Sequence, residues 1–346
     1  MQPKDRIATL QALARACAAG DLNEARQLAN EAEPTEADAD ALLFEACIGD
    51  RVQIVQWLVG RFGYANKSDI LWRHFGVAVQ YGGLGVARWM AGWLDRATAV
   101  ARARAGEALY VACVKGHLEV ANWLVAHFGL GRDDVRDEVR VVVRDALGCV
   151  CENGDLDVAV WLANAFGLTA ADARAEDNCA LRLACGEGHL EVAQWLAATF
   201  GLGPADARAS NNEALRGACE EGYLEVAQWL ADAFGLGPAD ARANDNEALR
   251  GACAAGHLAV AQWLAAAFGL TAADARSCGN SALREACNID RVEVVAWLVD
   301  TFGLGPADFH ERPLGGLGGS VAQLAGSDVA QWLAARWPAL DAAADA

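Results

Sequence analysis

Tryptophan returns in this chain at a fixed interval. Trp161, Trp195, Trp229, Trp263 and Trp297 stand 34 residues apart, and Trp89 to Trp123 is another step of the same length. Trp57 and Trp332 fall within two residues of the same beat. A period of this size describes a stack of like supersecondary units that bury their apolar faces against one another, and argues against a globular core built around one pocket. By length alone the 346 residues would suggest about two domains. The repeat overrides that count, because one solenoid can hold the chain.

Four successive copies define the unit: NCALRLACGEGHLEVAQWLAATFGLGPADARAS (178–210), NEALRGACEEGYLEVAQWLADAFGLGPADARAN (212–244), NEALRGACAAGHLAVAQWLAAAFGLTAADARSC (246–278) and NSALREACNIDRVEVVAWLVDTFGLGPADF (280–309). Looser copies start near Leu10, Asp40, Trp72, Gly106 and Asp145, and a degraded one ends near Trp337, giving nine clear units and one frayed one. Each unit reads as helix, turn, helix, loop. Asn178, Asn212, Asn246 and Asn280 stand where a side-chain oxygen can cap the first helix. That helix is short and ends near Gly188, Gly222 and Gly256, where glycine lets the chain reverse. The second helix carries Leu190, Val192, Trp195 and Leu196 at helical period and stops at Phe200-Gly201, Phe234-Gly235 or Phe268-Gly269. The leucine after each glycine suits a C″ apolar contact.

The loops read GPADAR or TAADAR. Pro204 and Pro238 suit position N1, with Asp206 and Asp240 in the first turn; Thr169 and Thr271 suit the N-cap, with Asp172 and Asp274 at N3. The loops are therefore predicted to hold a short helical turn. Between Trp123 and Trp161 the spacing grows to 38 residues, one helical turn more, and Arg132, Arg136, Arg140 and Arg144 form an i,i+4 stripe through it.

The string A-L-R-x-A-C-x-x-G-H-L-E-V-A-Q-W-L resembles the ankyrin repeat, and Gly-His-Leu-Glu-Val occurs at 116–120 and 188–192. The resemblance covers roughly residues 9–337. It implies an all-α, ankyrin-type repeat solenoid of nine to ten helix-turn-helix units, between short tails at 1–8 and 338–346. Three departures stand out: the consensus Thr-Pro becomes Cys179-Ala180 or Glu213-Ala214, the motif histidine becomes Arg182, Arg216, Arg250 or Arg284, and the hairpin loop becomes FGLxxADAR. A short helical turn is expected in place of the β-hairpin. The Gln-Trp-Leu and Phe-Gly-Leu variant is similar to ankyrin arrays of giant DNA viruses and some protists. The tetratricopeptide repeat shares the period, but its longer, tightly joined helices leave no room for the FGLGPADARA loop.

Eight cysteines share one repeat position: Cys17, Cys47, Cys113, Cys151, Cys185, Cys219, Cys253 and Cys287. Equivalent positions on stacked helices lie about 8–10 Å apart, too far for a disulfide or a shared zinc, so the ladder reads as packing. Cys149, Cys179 and Cys278 lie off it. His117, His189 and His257 sit in the helix–helix turn, where a hydrogen bond is the expected role. Arg174, Arg208, Arg242 and Arg276 form one ladder and Arg182, Arg216, Arg250 and Arg284 another; bidentate pairs to loop aspartates or carbonyls of neighbouring repeats account for residues identical in every unit. The glycine-rich PLGGLGGS (313–320) lacks a P-loop lysine. No catalytic signature, metal motif or cofactor motif is present, and the chain is expected not to be an enzyme.

Net charge is −18, with 28 basic and 46 acidic residues, which argues against non-specific phosphate binding, and so against a nucleic-acid partner, and against an anionic membrane surface as partner. No signal peptide or spanning segment is visible, and a monomer in the cytoplasm is expected. The resemblance implies a non-catalytic scaffold or adaptor for another protein. On the ankyrin pattern the first helix and its turn line the concave face, and recognition there needs positions that differ between repeats. These are Glu152, Asn153, Leu183, Glu187, Gly217, Glu220, Glu221 and Gly251, with Asn211 and Asp245 at the loop tips. Glu187, Glu220 and Glu221 make an acidic patch, and Gly217 and Gly251 are expected to leave a shallow groove. The alternative is a substrate adaptor for ubiquitin ligation. About eight residues precede the repeats and about nine follow, too few for an F-box, so ligase recruitment would need a separate partner.

Overall fold

The computed structural model describes residues 3–64, 67–94, 99–131, 137–309 and 327–338. The chain divides into two compact units, one formed by Met1–Val150 with Asp157–Gly167 and the other by Cys151–Leu156 with Leu168–Ala346. The first holds α1 (Pro3–Ala19), α2 (Leu22–Ala32), α3 (Glu36–Ile48), α4 (Val52–Phe62), α5 (Ser68–Gln80), α6 (Leu84–Ala91), α7 (Ala99–Val114), α8 (Leu118–Phe128), most of α9 (Asp137–Asn153) and α10 (Leu156–Phe166). The second holds α11 (Ala170–Ala173), α12 (Ala175–Gly186), α13 (Leu190–Phe200), α14 (Pro204–Ala207), α15 (Ala209–Glu220), α16 (Leu224–Phe234), α17 (Pro238–Ala241), α18 (Ala243–Ala255), α19 (Leu258–Phe268), α20 (Ala272–Ala275), α21 (Ser277–Asn288), α22 (Val292–Phe302) and α23 (Asp328–Arg336). Among the described residues there is no strand.

The second helix of each repeat follows its sequence pattern. In α13, Val192, Ala193, Leu196 and Phe200 are buried, at the spacing of one helical face. Trp195 is half-buried, so the periodic tryptophan is a rim residue and not the centre of the core. Its ring meets Phe200 edge to face at 5.6 Å, and the same pairing recurs at Trp229–Phe234, Trp263–Phe268 and Trp297–Phe302, each at 5.4 Å. Gly201 then closes the helix at φ 60°, a left-handed conformation in which a side chain is strained. Its N–H and that of Leu202 both donate to the Ala197 carbonyl, and Leu202 folds into the core.

The one-turn helices stand where the sequence places them, at α11, α14, α17 and α20. Pro204 and Pro238 occupy N1. The aspartate at N3 accepts from the backbone N–H of the cap residue, at 2.8 Å for Gly203–Asp206 and 2.7 Å for Thr271–Asp274. The hydroxyls of Thr169 and Thr271 donate to the same aspartates.

The carboxylates of Asp206, Asp240, Asp274 and Asp308 are also gripped from the preceding repeat. Arg208 donates through Nε to Asp240 Oδ1 at 2.7 Å and through Nη2 to Oδ2 at 2.9 Å. Arg174–Asp206, Arg242–Asp274 and Arg276–Asp308 repeat the fork. The first arginine ladder is therefore a set of inter-repeat staples, as the sequence suggested. The aspartate side chains are only 9–10% exposed, so these are not the loose surface pairs that contribute little.

Between the staple and the first helix the chain makes a turn that the sequence analysis missed. Glu176, Asp177 and Asn178 have φ of 51°, 54° and 59°, three left-handed residues in succession. Ser210–Asn212, Asn244–Asn246 and Cys278–Asn280 do the same. Left-handed backbone costs about 1–2 kcal/mol per ordinary residue, less for Asn and Asp. The second arginine ladder answers that cost. Arg182 donates through Nε to the Asp177 carbonyl at 2.9 Å and through Nη2 to the Glu176 carbonyl at 3.1 Å, and Arg216 and Arg250 clamp their own turns alike. Two charge-assisted hydrogen bonds, each about 1.5–3 kcal/mol, are of the size required. The asparagines do not cap the first helices as expected from the sequence. Asn178, Asn212, Asn246 and Asn280 are left-handed, and each Oδ1 is buried without a hydrogen-bond partner; an N-cap needs extended backbone. Their amide groups serve instead, as Asn280 Nδ2 donates to the Asp308 carbonyl at 3.0 Å.

The helix–helix turns also interlock. Gly222 has φ 85°, and a Cβ there would lie 2.5 Å from Nδ1 of His257 in the next repeat. Tyr223 lies against Gly188 and His189 against Gly154 in the same way. In the first unit His117 Nε2 donates to the Gln80 carbonyl at 3.0 Å, and Arg51 Nε to the Ala18 carbonyl at 2.9 Å. Asp50 and Asp290 replace the glycine in two repeats. They keep the left-handed backbone and accept from helix N-terminal N–H groups, Val86 to Asp50 at 2.7 Å and Val329 to Asp290 at 2.8 Å.

Of the arginine stripe expected in the longer repeat, Arg132 and Arg136 lie outside the described residues; Arg140 and Arg144 lie on α9, which is 17 residues long. The glycine-rich 313–320 and nearly all of the C-terminal tail also lie outside them.

Two outcomes follow. The staple aspartates have pKa values below the usual carboxylate range, chiefly through the Arg208, Arg242 and Arg276 hydrogen bonds on Asp240, Asp274 and Asp308, with Asp274 lowered to about 2. The unfolded chain thus binds more protons than the folded one between about pH 4 and pH 2, so stability falls as pH falls through that window. Urea midpoints by circular dichroism should drop across it, and by less in Asp274→Asn, which has already lost the pair at neutral pH. Separately, Gly222→Ala should lower stability by about 1–2 kcal/mol from left-handed strain plus the His257 clash. Adding His257→Ala should return only the clash part, measured in the same urea titrations.

Candidate functional site

The ten positions singled out in the sequence all belong to the second unit. Glu152 and Asn153 end α9, Glu187 follows α12, and Glu220 and Glu221 close α15; all five are exposed. Leu183 is half-buried on α12, and Asn211 and Asp245 are exposed within the left-handed turns. The loop tips are thus rigid backbone features held by Arg216 and Arg250, a geometry that sequence reasoning did not foresee.

The two glycines behave otherwise than expected. A Cβ on Gly251 would meet Cβ of Glu220 at 3.1 Å, and one on Gly217 would meet Cα of Gly186 at 3.3 Å. Their missing side chains let the first helices of neighbouring repeats approach one another, so the shallow groove expected at Gly217 and Gly251 is replaced by helix packing.

The three acids are different in kind from the other charges of this face. Arg182 pairs with Glu213 and Arg216 with Glu247. Glu187, Glu220 and Glu221 make no side-chain hydrogen bond or ion pair among the described residues. They also sit at helix C-termini, the negative end of the macrodipole, where a carboxylate is disfavoured by about 0.3–1 kcal/mol. Their position therefore does nothing for the stack.

In the cysteine ladder burial disfavours the thiolate. Cys17, Cys47, Cys113 and Cys287 are buried, and burial pushes each thiol up to about 12; Cys185, Cys219 and Cys253 are pushed up further by the same cause. A thiol so held is a small apolar packing group. Cys149 lies 3.2 Å from the Tyr110 hydroxyl, and Cys278 is exposed. Among the described residues no three His, Cys, Asp or Glu side chains gather as a metal site, and no helix is long and apolar enough to cross a membrane. One feature of the first unit escaped the sequence entirely: a cavity of about 430 Å³ between α5 and α7, lined by Trp72, Gly76, Glu107 and their neighbours.

Paired antiparallel helices stacked by side-chain forks between successive turns define a helical repeat array. Residues 147–245 match the family model of ankyrin repeats, in three copies. No curated protein matches the sequence. Ankyrin repeats form a protein–protein interaction domain, and the family is typically non-catalytic. Here the β-hairpin of the consensus is replaced by the one-turn helix and left-handed turn.

Exposure and pKa together set an order of thiol reactivity. Brief iodoacetamide treatment of the native protein, read by peptide mass spectrometry, should label Cys278 first and the ladder cysteines only after denaturation.

Proposed function

We propose that the chain is a protein-binding scaffold or adaptor, and that the second unit engages its partner through the first-helix face at Glu187, Glu220 and Glu221, flanked by Glu152, Asn153 and Leu183 and by the turns at Asn211 and Asp245. One observation carries this reading. The carboxylates of this face that serve the stack are paired to arginines, whereas these three are exposed, unpaired and placed where the helix dipole opposes them. A cost in stability that no internal contact repays is the mark of a surface kept for an outside partner. The sign of the charge calls for a basic partner segment.

A Glu187, Glu220, Glu221→Lys triple variant tests it. Because lysine suits a helix C-terminus, the variant should melt at or above the wild-type temperature. In affinity capture from cell lysate read by mass spectrometry, a protein retained by wild type should be lost from the variant, and its retention should weaken as salt rises. Equal capture by both proteins would remove the acidic patch from the binding surface.

A further inference from the structure

The regularity of the array exposes a gap in its first unit. In the second unit an arginine of the first helix crosses to a glutamate 31 residues on, Arg182 to Glu213 and Arg216 to Glu247. These arginine side chains are only 16% and 15% exposed, so the slot between adjacent first helices buries most of a guanidinium. Aligned on the turn glycine, Gly82 corresponds to Gly188. Gly76 then stands in the place of Arg182, and Glu107 in the place of Glu213. The acid is kept and the arginine is absent.

The structure has open space at that point. A Cβ on Gly76 would meet nothing within 4 Å. The cavity of about 430 Å³ lies there, with Trp72, Gly76, Arg104, Glu107 and Val111 in its wall. Glu107 is exposed and makes no hydrogen bond or ion pair among the described residues. The two lining arginines are already neutralised, Arg73 by Asp40 and Arg104 by Asp69 at 3.3 Å. Glu107 is thus the uncompensated charge of the cavity. Beside it is the Trp72 indole, which already takes one guanidinium, Arg104 Cζ lying 5.7 Å from its ring centroid. Phe75 holds that indole edge to face at 5.3 Å. A lone carboxylate next to an aromatic face, in a space shaped for an arginine, selects a flat cation.

We propose that this cavity receives an arginine side chain from an exposed segment of a partner protein, its guanidinium pairing with Glu107 and lying against Trp72. The partner supplies in trans what Arg182 and Arg216 supply in cis elsewhere in the array. This site is separate from the acidic patch of the second unit and does not rest on it.

Fluorescein-labelled pools of short peptides test the assignment, each with one residue type fixed at the centre and the rest randomised. Binding to the full chain is read by fluorescence anisotropy. Citrulline is the decisive control, because it keeps the shape of arginine without the charge. The arginine pool should bind about tenfold tighter than the citrulline and leucine pools, and Glu107→Gln should remove that preference. Gly76→Arg should abolish the arginine preference by filling the slot from within. Circular dichroism checks that each variant is folded; should Gly76→Arg fail to fold, Glu107→Gln decides, its side chain being exposed. Arginine no better than citrulline, a preference for leucine, or an unchanged preference in Glu107→Gln would each overturn the proposal.

Discussion

The second unit depends on a carboxylate that belongs to two repeats at once. Asp240 starts the one-turn helix of its own repeat by accepting the Gly237 N–H, and it accepts two hydrogen bonds from Arg208 of the repeat before. Arg208 also reaches the Gly235 carbonyl, which the end of α16 leaves free. Helix start, helix end and repeat contact are thus solved by one pair. Such sharing makes the stack cooperative, because no turn can form its full hydrogen bonding without its neighbour. The same logic explains why a hairpin is not needed. A β-hairpin satisfies its backbone through its own two strands, whereas this loop satisfies its backbone through side chains that arrive from the adjacent repeat.

The arginine clamps extend the idea to the backbone itself. Three consecutive left-handed residues would not persist alone. Arg182 holds two carbonyls of the turn and reaches Glu213 beyond it. One side chain therefore stabilises a strained turn and joins two repeats. The strain has a use, since it reverses the chain in a few residues and brings Asn178 under the next loop, where it helps to hold Asp206 ionised. The Asn178 Oδ1 left without a partner shows the limit of the arrangement: the side chain is placed for its donor and not for its acceptor.

Much of this was legible in the sequence, for physical reasons that differ by element. The period of 34 gave the repeat, Pro204 and Asp206 gave the one-turn helix, and Gly201 before Leu202 gave the helix end, because each signal is local and tied to one backbone geometry. The left-handed turn was present as Glu-Asp-Asn, Ser-Asn-Asn and Asn-Asp-Asn, residues that tolerate such backbone. A single asparagine before a helix also reads as an N-cap, and only the clamp by Arg182 decides between the two. Gly217 and Gly251 were misread for a related reason. A glycine on a helix face signals a close approach, but the sequence does not say whether the approaching group is a partner or the next helix of the same chain.

The candidate sites follow a different rule from the fold. Residues that build the array are those that repeat, and they explain one another: arginine with aspartate, tryptophan with phenylalanine, turn glycine with histidine. A residue of such a set that stands without its counterpart has no role in the stack. Glu107 is one, because it keeps the position of Glu213 opposite a glycine. Glu187, Glu220 and Glu221 are others, because no arginine pairs with them among the described residues and the helix dipole is against them. In a repetitive chain the broken pairs are therefore more informative about binding than the conserved geometry of the intact ones. The sequence alone shows where a repeat departs from its neighbours; the packing shows whether the departure is filled from inside, as at Gly251, or left open to the outside, as at Gly76.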